Sequence, residues 1–346
     1  MSKLTAWPLS PPQTARLLRH WNVGVFVFSR PGPGTASPAV VVTTRRGQYF
    51  LKQRAPQYAA RPRLSYDHAV MRHLKRAGLP ITLSLKTAVG SRWVTEGEHV
   101  YEVYPWVEGE RFDPENQAQL AAAGTLLGRL HQATAEFTPA GEKALPRLFD
   151  PRDRLAEIAE ARGLLAEGVN PGASSPEQAA ATLDFLEETV RGILERVPEE
   201  RYWALPQAVV HGDYHFANLL FAGDEVAGVF DFDWCSRQAR LKDVVDGLMF
   251  FASRREPTGG GDLAALTAVP LPDAERTATF LAAYEALAPL TAEERLCLPD
   301  LWRERWLYVR LDAMSRKLPR ALKLRFLLPG VEEPLRNVPD LGEARP

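Results

Sequence analysis

Cysteine is nearly absent, with only Cys235 and Cys297 in 346 residues. Without a C-x-x-C pair the chain offers no zinc site, iron–sulfur site or disulfide scaffold, and the two thiols read as packing residues. An excess of charge of either sign is lacking as well. Forty-two Lys and Arg balance 43 Asp and Glu for a formal charge of −1. No global field therefore draws nucleic acid or an anionic membrane surface, and neither is expected as a partner. Long apolar runs are missing too: no stretch approaches the roughly 18 residues of a membrane span. The N-terminal MSKLTAWPLSPPQTARLL has no signal-peptide core, so a cytoplasmic location is expected.

What is present is the composition of a folded protein, 45% hydrophobic and 25% charged. A chain of 346 residues exceeds one ordinary core, which predicts two lobes. AVVVTTRRGQYFLKQR (39–54) reads as two β-branched or aromatic runs turning at RRGQ, an antiparallel strand pair. In SYDHAVMRHLKRAGLP, Tyr66, Val70, Leu74 and Ala77 fall at helical intervals before Gly78 and Pro80 stop the helix. RWVTEGEHVYEVYPWVEGE adds strand-like runs on either side of Gly97. From Gln117 the texture turns helical, with Leu120, Leu127 and Leu130 on one face and further helices near 150–165 and 176–198. QAVVHG, NLLFAG and EVAGVFDFD are the later strand signals, the last two joined as a hairpin by AGDE. Helices resume after Asp243 to about residue 326, with EPTGGGD (256–262) as a loop and an irregular tail after Pro329. The pattern is α+β: a small antiparallel β-sheet lobe over 1–104 and a larger, mainly helical lobe over 105–346, with a hinge near 102–109.

The densest polar stretch is HGDYHFANLL (211–220). Asp213 and Asn218 lie five apart, and Gly212 frees the backbone for an unusual conformation. Asp231 follows 13 residues after Asn218, so a hairpin between NLLF and VFDFD brings the two to one end. A carboxylate and an amide oxygen are hard ligands that suit magnesium when phosphates and waters complete its shell. Phosphoryl transfer needs a base at the acceptor hydroxyl, a metal on the phosphates and a lysine on the nucleotide. Lys52, on the strand after RRGQ, is the candidate lysine.

The H-x-D-x-x-x-x-N loop followed by D-F-D resembles the core of the protein-kinase-like phosphotransferases. H-G-D-x-H-x-x-N with GVFDFDW is similar to the aminoglycoside phosphotransferase family, which includes choline kinases, bacterial homoserine kinases and methylthioribose kinases. The resemblance runs from about Gly34 to Asp243. It implies a two-lobed kinase-like fold and an ATP- and Mg2+-dependent kinase acting on a hydroxyl of a small metabolite, with a homoserine-type acceptor favoured. It places the catalytic base on Asp213, the metal ligands on Asn218 and Asp231, the phosphate lysine on Lys52 and a phosphate-loop contact at Gly34. It puts adenine against the backbone of Glu102 to Tyr104. The helix acid that pairs with the lysine falls on Asp67, one methylene shorter than the family's glutamate. Asp243 matches an acid that braces the catalytic loop, and His211 and His215 read as supports of that loop. Asp233 is open between metal or substrate contact and capping. The stretch 301–325 carries eight basic residues against two acidic. It is either a solvated helix face or, through Arg303 or Arg310 beside Trp302 and Trp306, the wall of an acceptor pocket holding a carboxylate. Two other functions stay open: a protein Ser/Thr kinase, disfavoured because no A-P-E-like segment follows Asp231, and a non-catalytic nucleotide-binding scaffold.

Overall fold

The computed structural model describes residues 7–32, 37–141, 143–256, 261–316 and 318–339. Helix α1 (Pro11–Leu18) leads into β1 (Phe26–Pro31), β2 (Ala39–Thr44) and β3 (Gly47–Gln53). Helix α2 (Arg61–Arg76) follows, then β4 (Val94–Glu96) and β5 (His99–Pro105). These strands form one antiparallel sheet in the order β1-β2-β3-β5-β4. β1 was not legible as a strand in GVFVFSR. It lies at the sheet edge with outward positions such as Phe28 exposed, so its alternation of apolar and polar residues is incomplete. Leu17, Val40, Val42, Leu51, Tyr101 and Val103 make the core between α1 and the sheet.

After Pro105 come α3 (Gln117–Thr134), α4 (Pro151–Ala166), α5 (Pro176–Arg196) and α6 (Glu199–Ala204). Asn116 caps α3 by accepting from the backbone N–H groups of Ala118 and Gln119. Ser175 and Gln178 close a reciprocal capping box on α5. Next are β6 (Gln207–Val210), β7 (Leu219–Ala222), β8 (Glu225–Val229) and β9 (Ser236–Ala239). β7 and β8 form the expected hairpin, with Leu219 opposite Val229. β9 is an addition: SRQA is too short and polar to read as a strand, yet it pairs antiparallel with β6. Helix α7 (Leu241–Gly247) runs on into a π-helical turn at Leu248–Ala252. The loop read at 256–262 lies largely outside the described residues, and α8 (Gly261–Thr267) begins inside it. Then come α9 (Ala274–Glu285), α10 (Ala292–Arg316), α11 (Lys323–Leu327) and α12 (Glu333–Arg336), the last a helical turn in the tail read as irregular.

The large core is built where α3 meets α9 and where α4, α5 and α10 pack together. Gly124 sits at the α3–α9 crossing, where an added Cβ would stand 2.4 Å from the Phe280 carbonyl oxygen. Among the described residues no helix is long and apolar enough to cross a membrane.

Candidate active site

The loop between β6 and β7 is held by the helix behind it. The Asp243 carboxylate on α7 accepts the backbone N–H of His211 at 2.6 Å and of Gly212 at 3.0 Å, so one buried side chain fixes two consecutive peptides. Lys242 donates to the Gly212 carbonyl and to Asp246, both at 2.9 Å. Gly212 has φ +86°, and a Cβ there would lie 2.4 Å from the Trp234 carbonyl oxygen, so only glycine fits. His211 accepts the Asp213 N–H through Nδ1 at 3.3 Å, which leaves Nε2 to donate to the Phe230 carbonyl at 2.9 Å. The histidine thereby ties the loop to Phe230, between the end of β8 and Asp231.

Asp213 stands among cations. His215 Nε2 is 3.1 Å from one carboxylate oxygen and Arg305 Nη2 is 3.4 Å from the other. Burial opposes ionisation of Asp213, but His215, Arg305 and Lys242 outweigh it and hold its carboxyl well below the usual range. His215 responds in the opposite sense: burial lowers its pKa, and the Asp213 charge and hydrogen bond raise it overall. Asn218 donates its amide N–H to the Asp213 carbonyl at 2.9 Å, which leaves its side-chain oxygen as the group to offer a cation. The Asn218 carbonyl accepts from Phe230 N–H at 3.0 Å, so Asn218 and Asp231 do meet at one end of the hairpin.

Asp231 takes a left-handed backbone conformation, φ +62°. Aspartate tolerates this region better than most residues, and such conformations concentrate where a side chain must be aimed. Its carboxylate is 42% exposed and 2.9 Å from Lys52 Nζ. Lys52 makes a second 2.9 Å bond to Asp233. Burial disfavours the Lys52 charge, but Asp231 and Asp233 more than offset it and raise its pKa.

The expected Lys52–Asp67 pair is not formed. Asp67 is buried and binds Arg54 at 3.0 Å and Lys143 at 2.6 Å instead. Arg54 lies two residues beyond Lys52, just past the end of β3, where its N–H still pairs with the Val100 carbonyl, hence on the same face as Lys52. Its guanidinium also binds Glu102 at 2.6 Å and Asp233 at 2.5 Å. The lysine is thus oriented by both acids of the DFD stretch, and the helix acid acts on the neighbouring arginine. Asp233, open in the sequence, is a partner of Lys52 and Arg54; burial opposes its ionisation, but the two cations lower its pKa. Arg54 and Lys143 were missed. K-x-R on a strand was the available signal for Arg54, and Lys143 in a loop gave none.

Glu102 and Tyr104 are also differently placed. Both pair with β3, opposite Lys52 and Phe50. Arg54 N–H donates to the Val100 carbonyl and Trp106 N–H to the Gln48 carbonyl, so every second residue of β5 turns its backbone toward β3. The backbone of Glu102 and Tyr104 is therefore spent on the ladder, and the Glu102 side chain is buried against Arg54 and His68. Gly34 lies outside the described residues.

Helix α10 explains the basic stretch at 301–325. Along one face Trp302 donates to the Pro334 carbonyl, Trp306 to Val331 and Arg303 to Leu335. Arg310 binds the carbonyls of Phe326, Leu327 and Pro329. Arg303 and Arg310 fasten the C-terminal segment and do not line a pocket at Asp213. The opposite face carries Glu304, paired with Arg147, and Arg305, which bridges Asp213 and Asp246. Two residues along a helix rotate the side chain by about 200°, which is why Arg305 and not Arg303 reaches the site. Burial, relieved in part by Arg147, pushes Glu304 up to about 7. Beside Asp213, Arg305 stacks 4.3 Å over Phe149, whose ring is 4.0 Å from Tyr308 and 6.1 Å from Trp234.

The fit to a divalent cation is good in chemistry and partial in number. Asn218 and Asp231 supply hard oxygens, and among the described residues no group of three or more His, Cys, Asp or Glu side chains could hold a metal. A cation here must take its other ligands from phosphates and water, as magnesium does in nucleotide sites.

The model of the phosphotransferase enzyme family known as APH matches residues 28–277. The chain belongs to that family. Among curated proteins, it is 27% identical over 270 residues to the homoserine kinase of Methylobacillus flagellatus, covering 78% of this chain and 73% of that one. It is 26% identical over 306 residues to the homoserine kinase of Beijerinckia indica, covering 85% and 82%. Among solved structures, amicoumacin kinase hAmiN in complex with AMP-PNP, Ca2+ and Ami superposes with a TM-score of 0.66 at 17% identity, over 95% of this chain and 94% of that one. A microcompartment-associated aminopropanol kinase superposes with a TM-score of 0.60 at 15% identity, over 94% and 98%. These neighbours show the two-lobed phosphotransferase fold. The protein is a phosphotransferase that uses an alcohol group as acceptor.

Proposed function

We propose that this family member transfers the γ-phosphoryl group of ATP, bound with Mg2+, to the hydroxyl of a small metabolite, an amino acid of the homoserine type being the favoured acceptor. The observation that carries the reading is Asp213, ionised among His215, Arg305 and Lys242 beside Asn218 and the Lys52–Asp231 pair. So acidic a carboxylate is a weak base. It orients the acceptor hydroxyl by accepting its hydrogen bond and takes the proton late, which suits a loose phosphoryl-transfer transition state. Lys52 gives its ammonium to the nucleotide phosphates, and Asn218 and Asp231 hold the metal. Bound Mg2+ neutralises charge on the phosphates. Arg54 keeps Asp233 in place so that Lys52 is aimed. The acceptor lies against Phe149, Tyr308 and Trp234.

A protein acceptor is disfavoured by the chain after Asp233. Only Trp234 and Cys235 precede β9, which is paired to β6, and α7 starts at Leu241. That leaves little chain to dock a peptide. The proposal is tested by ADP release with homoserine, other hydroxylated amino acids and amino alcohols. Acceptor-dependent turnover is expected with homoserine, falling about a thousandfold in Asp213→Asn while a nucleotide analogue still binds. Unchanged turnover in Asp213→Asn overturns the assignment of the residue, and turnover with amino alcohols alone overturns the acceptor.

A further inference from the structure

The outer face of α2 and the loop 83–93 border an open cleft of about 590 Å³. Arg72, Lys75 and Arg76 line it from the helix, Lys86 and Arg92 from the loop, and Trp93 closes one end. No acid lines it. None of the five cations forms an ion pair among the described residues, although ion pairs are frequent elsewhere in this molecule. Arg92 is fixed in place, because it donates to the Ser84 carbonyl while Ser84 Oγ donates to the Arg92 carbonyl at 3.0 Å. Burial and the neighbouring Arg72 depress the Arg92 pKa, the mark of positive charge without compensation.

The cleft is wired to the nucleotide side. The Trp93 ring stacks on His68 at 5.3 Å with a 15° interplanar angle. His68 is fully buried, its Nδ1 has no hydrogen-bond partner, and its Nε2 is 2.7 Å from Glu102. Glu102 binds Arg54, which binds Asp233, which binds Lys52. On α2, His68, Arg72 and Arg76 follow one another at four-residue spacing, so they share a face.

We propose that this cleft is a binding site for a small molecule carrying two or more phosphate groups, and that its occupancy tightens nucleotide binding through Trp93, His68, Glu102 and Arg54. Phosphates bridging Arg72 and Arg76 to Arg92 relieve the repulsion between the two walls and clamp α2 against the loop. The clamped helix holds His68 and Asp67 on Glu102 and Arg54, and so holds Asp233 on Lys52. The site depends on no choice of acceptor.

The test is isothermal titration calorimetry of the full chain with sodium pyrophosphate in EDTA at low salt. Without a divalent cation, Asp213, Asp231 and Asp233 repel pyrophosphate from the catalytic centre, so binding reports the cleft. One-to-one binding is expected, weakened about tenfold or more by Arg72→Glu and by the exposed Lys75→Glu, and unchanged in Lys52→Met. Thermal melts of each variant separate loss of site from loss of fold. In magnesium buffer, the change in Kd of a fluorescent ATP analogue on adding pyrophosphate should then be more favourable for the wild type than for Arg72→Glu, a comparison in which direct competition at the nucleotide site is common to both. Absence of pyrophosphate binding, or binding lost in Lys52→Met and kept in Arg72→Glu, overturns the site. Binding of a short single-stranded RNA without pyrophosphate binding makes it a polymer surface and overturns the proposal. The same change in Kd in the wild type and in Arg72→Glu overturns the coupling.

Discussion

Replacing Arg54 with methionine removes a buried cation that touches Glu102 at 2.6 Å, Asp67 at 3.0 Å and Asp233 at 2.5 Å. Each contact is worth about 6 kcal/mol of Coulomb energy at an effective dielectric near 20, most of it offset by the desolvation of both ions. Removing one member of a buried ionic cluster leaves its partners undercompensated and costs about 3 to 5 kcal/mol. Here each acid keeps another neighbour: His68 for Glu102, Lys143 for Asp67 and Lys52 for Asp233. The expected loss is therefore at the lower end, about 3 kcal/mol in urea unfolding. In a thermal melt of a 346-residue chain, whose unfolding entropy is about 0.7 kcal/mol/K, that amounts to a drop of roughly 4 °C. The pH dependence follows from the sign of the shifts. Glu102 and Asp233 have folded-state pKa values below their ordinary 4.5 and 3.8, Arg54 being a leading cause once burial is overcome, so their contribution is present near neutrality and is lost as the pH falls through the folded values. The variant lacks much of that contribution, so its deficit against the wild type narrows as the pH drops below about 4.5. Adding Glu102→Gln to Arg54→Met should recover part of the loss, because it removes a stranded charge. A loss under about 1 kcal/mol at pH 7, or a deficit that widens on acidification, would refute this account of the cluster.

Gly212→Ala should destabilise the fold by about 2 kcal/mol or more, as read by circular dichroism melts, because the new methyl meets the Trp234 carbonyl and φ is +86°; wild-type stability would contradict the packing described. Asp243→Asn loses the charge from two backbone bonds and should cost about 1.5 to 3 kcal/mol with a fall in kcat larger than any change in nucleotide affinity, measured by urea unfolding and steady-state kinetics. His215→Gln removes the nearest cation from Asp213, so the acid limb of kcat/KM should move to higher pH in a pH–rate profile. The raised His215 pKa means its ion pair stabilises fully below its ordinary 6.5 and fades as the pH rises through the folded value, so the melting-temperature gap to the variant should be wider at pH 6 than at pH 9.

The catalytic loop was legible because its chemistry is compressed into one stretch of chain. His211, Asp213, Asn218 and Asp231 are set by loop and hairpin spacing, and spacing is what a sequence records. The longer helices were legible for the same reason, since their periodicity is local, whereas the short α1 and α12 offer too few turns to show one. Arg54 and Lys143 were not, because the acids they neutralise come from α2, β5 and the turn after Asp231, and only the tertiary fold brings those acids together. The choice between Arg303 and Arg305 required the rotational phase of α10 against the core, which a run of aromatic and basic residues around the helix does not reveal. The placement of Glu102 and Tyr104 in the ladder was hidden for a further reason. Which backbone groups of β5 are left over depends on the register with β3, and register leaves no trace in composition.

Helix α10 has a practical consequence. Its indoles and arginines grip the chain from Phe326 to Leu335, while one residue between them, Arg305, reaches Asp213. The segment from Phe326 to Leu335 is therefore mechanically continuous with the loop that carries Asp213. A chain shortened to before Phe326 that still folds is expected to show its defect first in kcat.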